Sequence, residues 1–412
     1  MAKIRVGIFG TGRGVDLARN FLYHNDCEVV ALCDNRPDRL EKGVKRLGKT
    51  VKTFTDFDEF LSSGIDAVVL ANFFHEHAPY AIKCFEKNVH VFSECISNGT
   101  MAEGVELIRA FEKSKSIYFI AENYPQMFFN REMKRIIDSG VLGRIVYAEG
   151  EYNHTGNATT KETKESLIYF EQHWRNYLPR TYYVTHALGP LMRNTGATPK
   201  RVTCFPIKKD VTNRPTASQV GDIASAMITL NDDGSVFRFF GHSSFGGTEN
   251  SYRFCGTKGQ VENVRAMGGQ LNLLFNEWDK PEELEKCHVQ YTPGYNDPQE
   301  ELVKQSGHGG GDFITTRMFI ECIVKNVQPE HPFDIYGAIN MSSVAILAHR
   351  SMMEGGVPYD IPDFTKEEVR KQYENDRATP FYYSNGQTPT IPCSSDPNYK
   401  ASEESLKKYR EL

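Results

Sequence analysis

Residues 4–14 read IRVGIFGTGRG, an apolar run that ends in three closely spaced glycines before a helical pattern begins. A short run with apolar residues at almost every position suits a strand buried on both faces, as in a parallel sheet. Gly10 permits the tight turn out of that strand. Gly12 lets the backbone approach a pyrophosphate, whose negative charge is favoured at the N-terminus of the following helix. The third glycine is Gly14, one place earlier than in G-x-G-x-x-G, where Val15 stands. Strand, loop and helix in this order predict a dinucleotide cradle, with Arg13 inside it. The next apolar run, EVVALCD (28–34), ends in Asp34. An acid there accepts hydrogen bonds from the adenosine ribose and repels a 2′-phosphate, so NAD is expected over NADP.

Working outward, AVVLAN (67–72), HVFSEC (90–95) and YFIAEN (118–123) read as further buried strands, separated by amphipathic stretches over 77–88 and 102–114. This alternation predicts a parallel sheet with helices on both faces. Residues 1–123 are therefore expected to form an NAD-binding Rossmann domain, a doubly wound parallel sheet. Asn72, His75, His77, Glu94 and Asn123 fall at or just after strand ends and join Gly10, Gly12, Arg13, Gly14 and Asp34 as candidate cofactor contacts. Beyond residue 124 the pattern changes to a helix over 130–140 and longer alternating strands at 144–154, 223–230, 235–242 and 270–276. These predict a large, mostly antiparallel sheet with one face covered, in an α+β substrate-binding domain spanning 124–364 and closed by helices near 310–325 and 335–355. The polar extension 365–412 reads equally as an ordered wrap or a mobile arm.

Among 412 residues, 40% are hydrophobic and 25% charged, with net charge −5 and pI near 6.2, which argues against nucleic acid or an anionic membrane as partner. No apolar run approaches the roughly 20 residues that span a bilayer. The N-terminus lacks a basic segment followed by an apolar one, and nine scattered cysteines without a C-x-x-C pair fit reduced thiols, so a cytoplasmic location is expected. His75 and His77 are two apart with no third ligand at sensible spacing, and no metal is expected.

On these motifs the chain resembles the Gfo/Idh/MocA oxidoreductases, NAD(P)-dependent sugar and polyol dehydrogenases. The resemblance runs over residues 3 to 363 and is carried by VGIFGTGRG, CDNRPDRL, SEC and VLGRIVYAEG. The stretches AENYPQMFFNREM, EYNHT, HWR, YYVTHALGP, SGHGGGDF and PYDIPDF are similar to one branch, the NAD-dependent glycosidases of glycoside hydrolase family 109. The dehydrogenases carry Glu-Lys-Pro after the fifth strand, with the lysine assisting proton transfer, where this chain has Glu94-Cys95-Ile96. They also carry an aspartate four residues before the catalytic histidine, a place taken here by Tyr182. Family 109 likewise lacks the lysine, and its Tyr-Pro-Thr-His-Gly-Leu-Gly-Pro run is answered here by Tyr183 to Pro190.

The resemblance implies hydride transfer from a sugar ring hydroxyl, C3 in family 109, to bound NAD. In that branch the ketone acidifies the C2 proton, the C1 substituent leaves, water adds and the hydride returns. Such a cycle needs several proton carriers, and histidine titrates near working pH without extreme tuning. The candidates are His186 and Tyr183, with Tyr152 and His154, which lie two apart on one strand face. If 185–195 is helical, Pro190 cannot donate to the His186 carbonyl, and a kink is expected there. Trp174, Arg175 and His308 are candidate sugar contacts. The expected function is an NAD-dependent oxidoreductase acting on a sugar or glycoside. The alternatives are a redox-neutral glycosidase and a non-catalytic sensor. Relatives imply a homo-oligomer, a dimer or tetramer.

Overall fold

β1 (Ile4–Phe9) lies between β2 (Cys27–Cys33) and β4 (Ala67–Leu70), and all three run parallel. With β3 (Lys52–Phe54), β5 (His90–Ser93) and β6 (Tyr118–Ile120) the order is β3-β2-β1-β4-β5-β6, a doubly wound sheet. The apolar runs explain it: Val6, Ile8, Val68 and Val69 have no exposed surface, as strands covered by helices on both faces require. The strand order reverses between β1 and β4, which opens a crevice at the carboxyl ends of the strands. The computed structural model describes residues 2–154, 160–208 and 216–412, leaving out the side chains of Thr163 and Ser166. Of the motifs quoted above, Thr155 of EYNHT lies outside the described residues.

The second sheet consists of β7 (Ile145–Asn153), β8 (Pro199–Lys208), β9 (Asp222–Asn231), β10 (Val236–Ser243), β11 (Glu249–Gly256), β12 (Gly259–Asn263), β13 (Leu271–Phe275), β14 (His288–Tyr291) and β15 (Tyr359–Asp360). Their order is β14-β13-β12-β11-β7-β10-β9-β8-β15, with the β7–β10 pair parallel and the other pairs antiparallel. Alternation follows the pleat: β9 buries Met227 and Thr229 and exposes Ile228 and Leu230. Helix Thr185–Thr195 packs on the covered face so closely that a Cβ on Gly150 of β7 would lie 2.4 Å from the Ala187 carbonyl oxygen. Helix Ile335–Met353, capped by Asp334, packs against β8.

The extension beyond residue 365 is an ordered wrap. Its polar residues are occupied: Asp376 pairs with Arg350, Ser395 binds Asp222, and the Pro392 carbonyl meets His349 Nε2. It ends in helix Glu403–Glu411, capped by Ser402. No helix among the described residues is long and apolar enough to cross a membrane.

Candidate functional site

The glycine loop is built as a cradle. Gly10 has φ +92°, and a Cβ there would sit 2.3 Å from the Ala71 carbonyl oxygen, so only glycine fits. A Cβ on Gly14 would lie 2.7 Å from Ile8 Cγ2, so Gly14 performs the helix-on-strand packing of the motif's third glycine despite its earlier place. At Gly12 the nearest atom to such a Cβ is Arg39 Nη1 at 3.7 Å, leaving its backbone open to the cleft. Buried Asp34 accepts from the Thr11 amide (2.8 Å) and hydroxyl (2.7 Å) on one oxygen and from the Arg36 amide (3.1 Å) on the other. A carboxylate has about four acceptor positions, so capacity remains for a ribose hydroxyl. Asn72 lines the same cleft with its Oδ1 buried and unpaired. An open amide cradle, an acid at the end of β2 and an unsatisfied polar atom between them fit a dinucleotide. Tyr169, His173 and Trp174 form the opposite wall.

Arg175 joins this cleft to a cluster of rings and hydroxyls. The His186 ring is 4.0 Å from Tyr124, nearly parallel to it, and 4.7 Å from Tyr152. His186 Nδ1 lies 2.9 Å from both oxygens of Glu122, and Nε2 lies 3.2 Å from the Tyr183 hydroxyl. An ionised carboxylate only accepts, so Nδ1 carries a proton in either state of the ring, and in the neutral ring the lone pair is on Nε2, toward Tyr183. Burial pushes Glu122 up, but the charge and hydrogen bond of His186 outweigh it and hold the carboxyl below its ordinary range. Burial, then neighbouring Tyr152, pushes Tyr183 well up; burial takes Tyr152 to about 12. Both phenols therefore stay protonated. Burial, then the charge of Arg175, lowers His154, which sits at the exposed end of β7. Helix Thr185–Thr195 runs through Pro190, and the carbonyl of His186 that proline leaves without an amide partner accepts the Tyr252 hydroxyl at 2.6 Å.

Arg13 lines the cleft, but its donors are engaged. Nε binds Glu94 at 2.9 Å, while Nη1 and Nη2 bind both oxygens of Asp312 at 2.9 and 2.6 Å. Asp312 also takes Asn123 Nδ2 at 2.6 Å and His308 Nδ1 at 3.1 Å. Against the upward push of burial, His308 and Arg13 hold its carboxyl well below the usual range. One buried carboxylate thus gathers the phosphate loop, Asn123 and the loop bearing His308.

Two sequence expectations need correction. His75 does not face the cleft: its ring has no exposed surface, is 4.5 Å from Phe381 and 4.6 Å from Tyr383, and Nε2 meets the Tyr382 carbonyl. Burial lowers it to about 3, so it is a neutral packing residue. Trp174 has little face left for a sugar, because Phe74 stacks on it at 5.0 Å and the Arg175 guanidinium lies 4.4 Å from its ring; it supports Arg175. His77 binds the Ile96 carbonyl through Nδ1, and its Nε2 is buried and unpaired. Among the described residues no group of three or more His, Cys, Asp or Glu could hold a metal ion. Sequence reading missed Glu122, Tyr124 and Tyr252. Glu122 lies two places beyond β6, and position at the carboxyl end of a parallel strand was the available signal.

A doubly wound sheet with a dinucleotide cradle, whose last strand leads to a carboxylate paired with a histidine on a helix of the second domain, defines the class of NAD-binding oxidoreductases. The chain belongs to the Gfo/Idh/MocA oxidoreductases with a family 109 second domain: residues 4–122 match "Oxidoreductase family, NAD-binding Rossmann fold" and 132–371 match "Glycosyl hydrolase 109, C-terminal domain". Similar relatives include glycosyl hydrolase family 109 proteins of Shewanella sp. (strain W3-18-1), 24% identical over 89% of this chain and 86% of that protein, and of Stenotrophomonas maltophilia (strain K279a), 23% identical over 88% and 89%. Among solved structures, levoglucosan dehydrogenase with NADH and L-sorbose has TM-score 0.72 at 16% identity, covering 88% of this chain and all of that one. An oxidoreductase from Agrobacterium radiobacter with NAD+, L-tartaric acid and magnesium has TM-score 0.67 at 13% identity, covering 87% and 99%.

Proposed function

We propose that the protein oxidises a ring hydroxyl of a sugar or glycoside, C3 in the reading the family favours, with His186 as general base. Bound NAD supplies the hydride acceptor. The supporting observation is the chain Glu122–His186–Tyr183, which leaves a basic Nε2 and a protonated phenol side by side. The Tyr183 proton and the Nε2 lone pair form a relay: a hydroxyl proton enters at the phenol as the phenol's own proton passes to the imidazole. Glu122 fixes the tautomer and stabilises the charge that then develops on the ring, as a carboxylate behind a catalytic histidine does. Tyr152, between Tyr183 and His154, and His154 at the rim add carriers for a second proton transfer. Arg175 and His308 are assigned to binding the sugar.

A second reading, glycoside cleavage with the hydride returned, is favoured by one observation. Cys95 stands where the dehydrogenases carry lysine, and it hydrogen-bonds Glu122 through Sγ at 3.4 Å. Its thiol is pushed well up by burial and then by the charges of Glu122 and Glu94, so it does not replace a lysine as proton carrier. Aryl α- and β-glycosides incubated with the purified protein separate the readings. Catalytic aglycone release without net reduced nicotinamide supports the glycosidase, and stoichiometric NADH on adding NAD+ and a free sugar supports the dehydrogenase. Absence of both across a broad sugar panel refutes the proposal and favours a sensor. A homo-oligomer remains part of the proposal, since Phe205, Ile228 and Leu230 are exposed on β8 and β9; light scattering reads it out.

A further inference from the structure

The dinucleotide cleft has a roof, and the chain's last residues hold it. The roof is the segment 164–175, which lines the cleft with Leu167, Tyr169, His173 and Trp174. The ring of Tyr169 lies 4.6 Å from the Arg36 guanidinium and 4.4 Å from that of Arg39, so it closes over the side of the cleft next to Asp34. Most of this segment consists of a short helix, Lys161–Leu167, and turns. A helix of two turns is marginal without tertiary support.

Helix Glu403–Glu411 supplies that support. Tyr409 is 2% exposed, packs with Ala217 and Ile168, and donates its hydroxyl to the Ile168 carbonyl at 2.6 Å. Lys164 Nζ returns a bond to the Tyr409 carbonyl at 2.8 Å, and Arg410 holds both oxygens of Glu171 at 2.7 and 3.3 Å. Earlier in the same extension Ser384 enters the cleft wall, where its hydroxyl binds Glu76 Oε2 at 2.8 Å. The matched family 109 region ends at residue 371, before Ser384 and the terminal helix.

We propose that residues 372–412 are part of the dinucleotide site: Ser384 forms part of its wall, and the terminal helix clamps the roof and so sets how long NAD stays bound. Dissociation of the dinucleotide requires the roof to lift, and the Tyr409, Lys164 and Arg410 contacts oppose that movement. The inference deepens the functional reading by making NAD a resident cofactor. It is tested without any sugar, so its failure and the failure of the sugar chemistry are separate results.

The experiment loads the full-length protein with NADH and follows loss of bound fluorescence after a chase with excess NAD+. Two variants are compared with it: a chain ending at Lys400, and Tyr409→Ala with Arg410→Ala. Dissociation at least tenfold faster in either variant, with the near-UV circular dichroism spectrum retained, is the expected result. Failure of both folded variants to reach a tenfold faster rate overturns the proposal. If the truncated chain unfolds, the double variant decides by the same criterion. Global unfolding of the double variant also overturns it, because the helix would then support the whole fold instead of the roof.

Discussion

Glu122→Gln tests the proton relay with the least steric change. The substitution keeps an acceptor oxygen for His186 Nδ1 but removes the negative charge that lies 2.9 Å away on a carboxylate with no exposed surface. A hydrogen bond to a charged group is worth about 1.5–3 kcal/mol net. The charge matters most when the imidazole takes up a proton, so nearly all of that difference falls on the transition state. The expected loss in kcat is therefore roughly 10- to 100-fold. NAD affinity should not move, because Glu122 is not part of the cleft lining. A single-turnover assay on NAD-loaded protein, read as nicotinamide reduction or aglycone release, measures the chemical step, and fluorescence titration measures the cofactor. A Gln variant within threefold of the parent rate would refute the assignment of His186 as the base.

Two substitutions in the glycine loop should separate. Gly12→Val should fold with an unchanged melting temperature yet weaken NAD binding more than tenfold, since its side chain would occupy only the open cradle; Gly10→Val should destabilise the fold, because its Cβ would collide with the Ala71 carbonyl. Tyr252→Phe leaves the His186 carbonyl without a donor, which costs about 1–3 kcal/mol in urea unfolding and lowers kcat through displacement of the ring. Glu103, in the capping box of helix Met101–Phe111, is pushed up to about 7 from its ordinary 4.5, first by burial, against the amides of Gly99 and Thr100. The native state therefore holds a proton that the unfolded chain releases, so stability is lost as pH rises between those values. Glu103→Gln should remove that slope, a difference of roughly 3 kcal/mol between pH 4.5 and 8 in the melting profile.

The parallel half was legible because burial on both faces writes itself as continuous apolar runs: β1, β4, β5 and β6 fall within the expected stretches, and β2 begins one residue before its own. β3 escaped because it has three residues, two of them exposed. In the second sheet β7, β9, β10 and β13 were readable, whereas β8 and β11 were not. PKRVTCFPIK is interrupted by two prolines and by charges, and ENSYRFCG opens with Glu249, Asn250 and Ser251, which dilutes the alternation. His186, Tyr183, Tyr152 and His154 do come together in space. The place of Glu122 after β6 was readable, but its pairing with His186, 64 positions away, was not, because that pairing is made by docking a helix rather than by local pattern. The order of the extension was equally hidden, since residues such as Tyr409 and Asp376 are fixed by partners elsewhere and not by periodicity among themselves.

The Glu122–His186 contact has a mechanical consequence. Glu122 follows the last strand of the parallel sheet, whereas the helix bearing His186 is packed on β7 and β10 and tied to β11 through Tyr252. Swinging the two sheets apart like a clamshell would pull the carboxylate off the imidazole and dismantle the chemistry in mid-cycle. The pairing that the proposed relay needs therefore holds only while the two sheets stay closed on one another, so the Glu122–His186 contact doubles as a latch between the halves of the molecule.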